Sequence, residues 1–483
     1  MAISIAEPET GRIGNRRSSR GGLAALSLSM GLSSLSASIA TIALPALATA
    51  FTAPFQHVQW IVVAYLLAVT SAIVGVGRLG DIVGRRRLLL GGLVVFTLAS
   101  LLCAAAPTLP LLVAARVAQG LGAAVMMALT LALTGEAVPK ERTGSAMGLL
   151  GTMSAVGTGL GPSLGGVLII WFGWRSVFLV NVPLGLLAIA FAWRFLPADL
   201  ASAKAKGERF DVPGTLALAG TLVALALGLT LGKGHFGLLN ASLLAATLAG
   251  AGLFAAIEAR VASPLIRLSA FGDARFSAGL ATTAISMVAM MTTMLVGPFF
   301  LSAALGLDPA SVGAVMTAGP AVSMIGGVFA GRLVDRAGST RIVFAGLAAM
   351  AAGAMLMCVL SLRFGVAGYV GAILVLSSGY VLFQAANNTA IMMNVPADRR
   401  GVFSGMLSLS RNLGLIVGAS AMGALFAYGS GASDPTRAVP AAVAAGMRLT
   451  FGTVFLLLAA AIAVAFAARV RTGRATATGE KSL

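Results

Sequence analysis

Fourteen apolar stretches, each long enough to cross a lipid bilayer, follow one another along the 483 residues of this chain. A bilayer core of about 30 Å needs roughly 20 apolar residues in a helix. Because lipid offers no hydrogen bonds to the backbone, such segments span a membrane as α-helices. The pattern therefore predicts an all-α integral membrane protein with fourteen spans, at about 24–48, 58–77, 87–106, 109–134, 143–170, 176–197, 213–232, 236–259, 276–304, 310–332, 341–362, 366–392, 402–428 and 446–469.

The charges are few and unevenly distributed. Only 10% of the residues are charged and 58% are hydrophobic, which excludes a soluble protein of this length. The net charge of +18 does not indicate nucleic-acid binding, because Arg and Lys cluster in alternate loops, at 78–87, 140–142, 204–209, 260–275, 332–341, 399–400 and after 469. The opposite loops carry few basic residues. By the positive-inside rule, both termini are predicted to be cytoplasmic.

The first span follows a basic tail but is too long for a signal peptide and contains Pro45, so we predict that it is retained. Cys103 and Cys358 both fall within spans, which predicts neither a disulfide nor a metal site. We find no phosphate-binding loop, zinc-protease motif or catalytic triad, and therefore expect a protein that is not an enzyme and carries no cofactor.

A long-period repeat divides the chain. The run Gly77–Arg86 after span 2 is echoed by Gly331–Gly338 after span 10. In span 5, Gly148, Gly157 and Gly161 have the same spacing as three glycines of span 13, Gly405, Gly414 and Gly418. The repeat predicts two parallel six-helix bundles with a substrate site where they meet. The predicted division is 1–21 tail, 22–198 first bundle, 199–272 two inserted helices, 273–470 second bundle and 471–483 tail.

Three motifs contain small or charged residues at a spacing that is unusual in membrane helices. After span 2, Gly77 and Gly84 permit a tight turn, and Asp81 can pair with the adjacent arginines. Span 4 carries Arg116 and Gln119, and a charged residue inside a span normally faces the bundle interior with a partner. In span 5, Gly157, Gly161 and Gly165 share one helical face, and Pro162 permits a bend; these residues are flanked by Gly148 and Gly166.

These motifs resemble the major facilitator superfamily, and over nearly the whole chain its fourteen-helix drug:proton antiporter branch. The branch is also indicated by the fragments at 59–66, 173–183 and 211–214. The resemblance implies that the loop residues Gly77, Asp81, Gly84, Arg85, Arg86 and the matching Asp335 latch one side of the transporter. It implies a coupling role for Arg116, with a purely structural role as the alternative. It also identifies span 5 with the antiporter signature of exporters.

One departure from that branch concerns proton coupling. Where the branch usually has an aspartate in helix 1, this chain has Ser36. All fifteen acidic residues fall in tails, loops or helix ends, although buried carboxylates are the usual proton carriers. Three alternatives remain open: Asp81 or Glu136 carries the proton, Arg116 orders a water that does so, or transport is not proton-coupled.

Several polar or polarisable residues are candidates for a substrate cavity. Arg411 lies about 15 Å into span 13, and with Arg116 it favours lipophilic or anionic substrates over permanent dications. Gln384, Asn387 and Asn388 share a face of span 12, suited either to substrate or to a neighbouring helix. Met287 and Met291, in a methionine stripe of span 9, suit either a promiscuous pocket or ordinary packing.

The sequence thus favours a secondary transporter of a bacterial inner membrane that exports drugs or toxic lipophilic molecules by alternating access, driven by the proton gradient. The alternative is a facilitator or exporter of a metabolite or organic anion without proton coupling, and a third reading is a membrane sensor that does not transport. The expected partners are a small-molecule substrate and the lipid bilayer, without nucleic acid. We expect a monomer, with periplasmic adaptor and outer-membrane proteins as further candidate partners.

Overall fold

A computed structural model describes residues 9–137, 143–196, 212–231, 237–261, 271–392, 400–431 and 439–479. Within these residues, fourteen helices are long and apolar enough to cross a membrane, which confirms the predicted number of spans. We label them α1–α14. An even number of crossings returns the chain to its starting side, so α1 begins and α14 ends on one face, here called the termini face. The other is called the opposite face.

The first eight helices are α1 Glu9–Ile42, α2 Trp60–Val83, α3 Arg85–Ala105, α4 Leu109–Ala137, α5 Thr143–Phe172, α6 Asn181–Phe195, α7 Val212–Thr230 and α8 Leu238–Glu258. The remaining ones are α9 Ala274–Phe299, α10 Pro309–Ala337, α11 and α12 within Ser339–Met392, α13 Arg400–Val417 and α14 Pro440–Gly479. Three short helices, Leu44–Ala50, Phe55–Val58 and Ser176–Leu179, lie at the opposite face.

The first span differs from its predicted extent. We expected one segment over 24–48, but α1 ends at Ile42 and a short helix begins at Leu44. Pro45 explains the break. Proline has no N–H to donate, and its ring clashes with the carbonyl of the residue four positions earlier in a continuous helix. A second break separates α11 from α12, where Gly365 has a positive φ of 55°.

The repeat in the sequence corresponds to a repeat in the structure. Gly84 is the single residue between α2 and α3, and Gly338 is the single residue between α10 and α11. Both have positive φ, 105° and 83°, and both donate their N–H to the carbonyl four residues earlier. Glycine is favoured at both positions because a side chain is strained at such φ values.

Helix packing follows the same repeat. In the first half, α1 packs on α5 and α6, and in the second half α9 packs on α13 and α14. At matching positions, Gly157 lies against the backbone of α1 and Gly414 against the backbone of α9. The equivalent of Pro162 in α5 is a π-helical turn, Gly418–Met422, that interrupts the thirteenth span. Both features alter the helix axis at the same depth.

The two halves meet along α5 with α10, and along α2 with α13. The inserted helices α7 and α8 form a hairpin, and α7 also packs against α2 and the π-helical turn of the thirteenth span. Most of α8 is exposed. The structure is thus a major facilitator fold with two additional helices beside the seam between its halves.

Candidate functional site

Arg116 lies fully buried at the centre of the first half, and its guanidinium joins three helices. Its Nε donates to the carbonyl of Ile61 in α2, at 2.9 Å. Its Nη1 donates to the Oε1 of Gln119 in α4, and more weakly to the Oγ of Ser36 in α1, at 3.4 Å. The same Gln119 donates to Ser100 Oγ in α3, at 2.8 Å. One arginine therefore connects α4 with α1 and α2, and through Gln119 with α3.

Aromatic rings cover this guanidinium. The ring centroid of Tyr65 lies 4.2 Å from Arg116 Cζ and that of Phe178 lies 6.0 Å away. Tyr65 is itself fixed by a hydrogen bond from its hydroxyl to the carbonyl of Ser33, at 3.1 Å. Arg116 Nη2 has no hydrogen-bond partner in the described residues. Neutral groups alone thus surround the charge, which makes it a strongly electropositive point inside the bundle.

The prediction that Arg116, Gln119 and Ser36 line an open cavity is not met in this conformation. All three are buried, because the α1, α2 and α4 helices and Tyr65 enclose them. The position that faces Arg116 from α1 is occupied by the hydroxyl of Ser36 and not by a carboxylate. In the most apolar stretch of each of the fourteen spans the only acidic residue is Glu258, the last residue of its stretch, whereas Asp81, Glu136 and Asp335 lie in the last turns of α2, α4 and α10.

Arg411 differs from Arg116, because its side chain is exposed. It lies on α13 close enough to Tyr380 of α12 for its charge to act on the phenol. Gln384 and Asn388 follow Tyr380 at helical spacing and are half-buried. This part of the second half therefore keeps polar groups accessible.

The other second-half candidates are involved in helix packing. Asn387 is buried, and its Nδ2 donates to Thr283 Oγ1 at 2.8 Å and to the Gly279 carbonyl at 3.2 Å, which joins α12 to α9. Met287 and Met291 are buried against Gly414 and Gly418 of the thirteenth span. In this structure both fill the contact between α9 and the thirteenth span, as in the packing alternative, and a cavity-lining role stays a prediction.

The opposite face is sealed where the halves meet. Phe55 packs its ring edge against Phe299, with centroids 4.8 Å apart, and against Phe426, at 5.7 Å. Phe55 precedes α2, whereas Phe299 ends α9 and Phe426 follows the π-helical turn of the thirteenth span. The buried side chain of Gln59 lies beside them, directly against Gly423. Aromatic side chains from both halves therefore close this face.

A second contact between the halves lies along α5 and α10. Gly166 approaches the backbone of Pro309, and Gly313 approaches the backbone of Pro162. Asp308 caps the start of α10, where its carboxylate accepts hydrogen bonds from the Ser311 hydroxyl and from backbone N–H groups. These hydrogen bonds, that of the Ser311 hydroxyl above all, hold the pKa of Asp308 below its usual range. The cap fixes the helix end that meets Gly166.

Toward the termini face the same helices have open space beside them. Among the described residues, a Cβ added at any of five glycines would meet no atom within 4 Å: Gly77 of α2, Gly151 of α5, Gly327 and Gly331 of α10, and Gly405 of α13. The close contacts between the halves that the described residues show are therefore those toward the opposite face.

The three glycines of the α5 motif face α1. Gly157 lies against the carbonyl of Gly31, Gly161 against Ser38 and the backbone of Ile39, and Gly165 against the Ile39 side chain. The close approach expected from their spacing is present. Gly148 lies in α5 as well, but its surroundings fall outside the described part of the chain.

The loop motif is only partly described. Arg86 Nη2 donates to the Trp193 carbonyl of α6, at 2.5 Å, and Arg85 packs beside Gly80. Asp335, its counterpart in the repeat, is exposed. The side chains of Asp81 and Glu136 lie outside the described part of the chain.

Sequence reasoning did not single out Tyr65, Gln59 or the three phenylalanines of the seal. Gln59 and Tyr65 do belong to the run Gln59–Leu66 noted above, and a glutamine at a helix start followed six residues later by a tyrosine was the available signal. The phenylalanines gave no signal, because 23 are scattered along the chain and only the fold brings these three together.

Comparison with known proteins agrees with this architecture. Residues 26–419, and again 278–482, match the model of the Major Facilitator Superfamily. The riboflavin transporter RibZ of Clostridioides difficile is 31% identical over 82% of this chain and 86% of its own length. The multidrug resistance protein Stp of Mycobacterium tuberculosis is 32% identical over 84% of this chain and 76% of its own. A crystal structure of a bacterial homologue of the human lysosomal transporter Spinster superposes with a TM-score of 0.68 at 15% identity, over 93% and 97% of the two chains.

Proposed function

The chain belongs to the Major Facilitator Superfamily of membrane transporters, and we propose that it is a secondary transporter that exports drugs or other toxic lipophilic molecules by alternating access. Relatives named as multidrug resistance or efflux proteins support this substrate class. The glycine motif of α5, which resembles the antiporter signature, supports the direction of export.

The observation that carries the proposal is the unequal contact between the halves. At the opposite face, Phe55, Phe299 and Phe426 form a seal, while Gly77 and Gly405 near the termini face have open space. Alternating access requires two such states that exchange by rocking of the halves about a central site. The structure has the geometry of one of them.

The location follows from charge. Basic residues are concentrated in the loops and tails of the termini face, so we place that face in the cytoplasm of a bacterial inner membrane. The sealed face is then periplasmic, and the gap between the halves opens to the cytoplasm, from which an exporter takes its substrate. We propose a monomer, with periplasmic adaptor and outer-membrane proteins as candidate partners, and a role in antibiotic resistance.

The energy source is proposed to be the proton gradient, with Asp81 or Glu136 as carrier at the cytoplasmic edge. A second candidate, transport of a metabolite or organic anion without proton coupling, is favoured by one specific observation. Ser36, and no carboxylate, faces Arg116, and the most apolar stretches of the spans contain no acidic residue except the terminal Glu258. Without a buried carboxylate, the usual way to load a proton within the cavity is missing.

Flux in proteoliposomes, measured with and without an imposed pH gradient, tests both candidates. Ethidium represents lipophilic drugs and a panel of organic anions represents the second class. Uphill accumulation driven by the pH gradient supports the antiporter. Downhill flux that ignores the gradient supports the uncoupled alternative, and no flux of any compound supports the non-transporting sensor.

A further inference from the structure

A polar face runs along α13 at mid-membrane depth. Ser408, Arg411 and Asn412 lie at i, i+3 and i+4 and therefore share one side of the helix. Arg411 is exposed, and the other two are half-buried. A charged residue this far inside a span faces water or protein and not lipid, because lipid cannot solvate it.

The fold shows what this face looks toward. Twelve residues separate Arg411 from Gly423, and the π-helical turn Gly418–Met422 lies between them. A π-turn takes more residues than an α-turn, so the twelve residues make about three full turns and place both residues on the same side. Gly423 contacts Gln59 of the other half. Gly414 and Gly418, three and seven residues after Arg411, contact α9, so the face of Arg411 borders the contact with α9 on a helix that also packs against α2 of the other half.

Packing on the neighbouring side of α13 agrees with this placement. Ser410 donates to the Leu280 carbonyl of α9, and Gly414 lies against Ala284 of the same helix. These contacts border the face of Ser408, Arg411 and Asn412, and Arg411 itself stays exposed beside them. Gly405, one to two turns before Arg411, has open space beside it.

The charges near Arg411 are mainly basic at its own depth. Arg411 lies about 16 Å from the first residue of α13, at 1.5 Å per residue. Within the most apolar stretch of each of the fourteen spans, the only carboxylate is that of Glu258 at the end of α8, whereas Asp81, Glu136 and Asp335 lie in the last turns of α2, α4 and α10. In a low-dielectric surrounding, a charge acts over a longer distance than in water. At its depth in the span, Arg411 therefore favours an anion over a cation as its partner.

We propose that the transported substrates include amphipathic organic carboxylates, and that Arg411 binds the carboxylate while Ser408 and Asn412 donate further hydrogen bonds. A guanidinium can hold a carboxylate through two parallel hydrogen bonds, which fixes its orientation as well as its charge. Half-buried Gln384 and Asn388 of α12 follow Tyr380 at helical spacing and are further polar candidates in the same half. This inference rests on the proposed transport function and names the substrate class for it.

The test uses purified full-length protein in proteoliposomes, with carboxyfluorescein as the anionic probe and ethidium as the cationic one. Four proteins are compared: wild type, Arg411→Gln, Arg411→Lys and Arg448→Gln. Arg448 is the matched control, because it is an exposed arginine of the same half on α14, beside Cys358 of α11 and away from the seam. Monodispersity and thermal stability in detergent establish that each variant is folded.

Wild type is expected to move carboxyfluorescein. Arg411→Gln is expected to reduce that flux about tenfold or more, because it removes one charge-assisted contact. Arg411→Lys keeps the positive charge but lacks the planar guanidinium, and it is expected to retain part of the flux. Arg448→Gln is expected to retain all of it. Ethidium flux is expected to stay equal or rise in Arg411→Gln.

Two results would overturn the inference alone: unchanged carboxyfluorescein flux in a folded Arg411→Gln, or ethidium transport by a wild type that does not move the anion. Should Arg411→Gln fail to fold, Arg411→Lys decides, since full anion flux without any rise in KM contradicts a bidentate contact. A wild type that moves neither probe nor any compound of the wider panel contradicts the proposed function as well.

Discussion

Gln59, at the start of α2, lies with its amide directly against Gly423 of the thirteenth span, so that a residue without a side chain meets a buried polar group across the seam between the halves. Leu295 of α9 and Phe55 complete the surroundings of Gly423. A Cβ at position 423 would overlap the amide and come within 3.0 Å of Leu295 Cδ2 and 3.3 Å of Phe55 Cε1. The opposite face can close fully because position 423 is glycine.

Gly423→Leu is therefore expected to prevent closure of the opposite face and to reduce transport at least tenfold. The physical reason is steric, since the added side chain has no space between Gln59, Leu295 and Phe55. Transport is measured in proteoliposomes, and closure by thiol labelling of a cysteine placed at position 55 or 299. Gly452→Leu on α14 is the matched control, because a Cβ there meets nothing within 4 Å. Normal transport by Gly423→Leu would show that full closure is not required.

Gln59→Leu is expected to stabilise the sealed state and slow transport. Neither amide atom of Gln59 has a hydrogen-bond partner in the described part of the chain, although both are buried. A buried unsatisfied polar group costs about 1–3 kcal/mol, which leucine of similar size removes, whereas water satisfies the amide when the face opens. The equilibrium should shift toward the sealed state about five- to 150-fold. The expected signature is a higher Tm with a lower turnover, and a lower Tm would contradict the unsatisfied amide.

Gly161→Leu is expected to disrupt the first half. Gly161 faces Ser38 and the backbone of Ile39, so a larger side chain must push α1 away from α5. Overpacking of this kind destabilises by about 1–3 kcal/mol. Gly151→Leu, in open space on the same helix, should leave the Tm near the wild-type value. Equal behaviour of the two variants would contradict the role of close α1–α5 packing.

Arg116→Ala is expected to abolish transport while expression and membrane insertion persist. The substitution removes charge-assisted hydrogen bonds to Ile61 and Gln119, worth about 1.5–3 kcal/mol each, and leaves their buried acceptors unpaired. Flux and Tm are measured together. Wild-type flux from well-folded protein would show that Arg116 has no part in transport, and Arg116→Lys serves to separate loss of charge from loss of the planar fork.

The candidate site was predictable to different degrees at different residues. Arg116 and Gln119 were identified as unusual because a charged residue in a span needs a reason. Their burial was not predictable, since it depends on Tyr65 and Ile61 of α2 folding over them. The sequence left two roles open for Met287 and Met291, because a methionine stripe has the same appearance whether it meets substrate or, as here, a glycine of another helix.

The sequence by itself determined the fourteen helices, the two-fold repeat and the family. The lengths of the apolar stretches indicated the helices, because a bilayer leaves the backbone few alternatives to a spanning helix. The spacing of the motifs indicated the repeat and the family. Even the paired turns at Gly84 and Gly338 were visible as a repeat. Only the tertiary structure decided that Arg116 is enclosed while Arg411 is exposed, and that Phe55, Phe299 and Phe426 seal one face. Those outcomes depend on which helices pack together and in which conformation, and contacts between residues hundreds of positions apart leave no periodic signal in the chain.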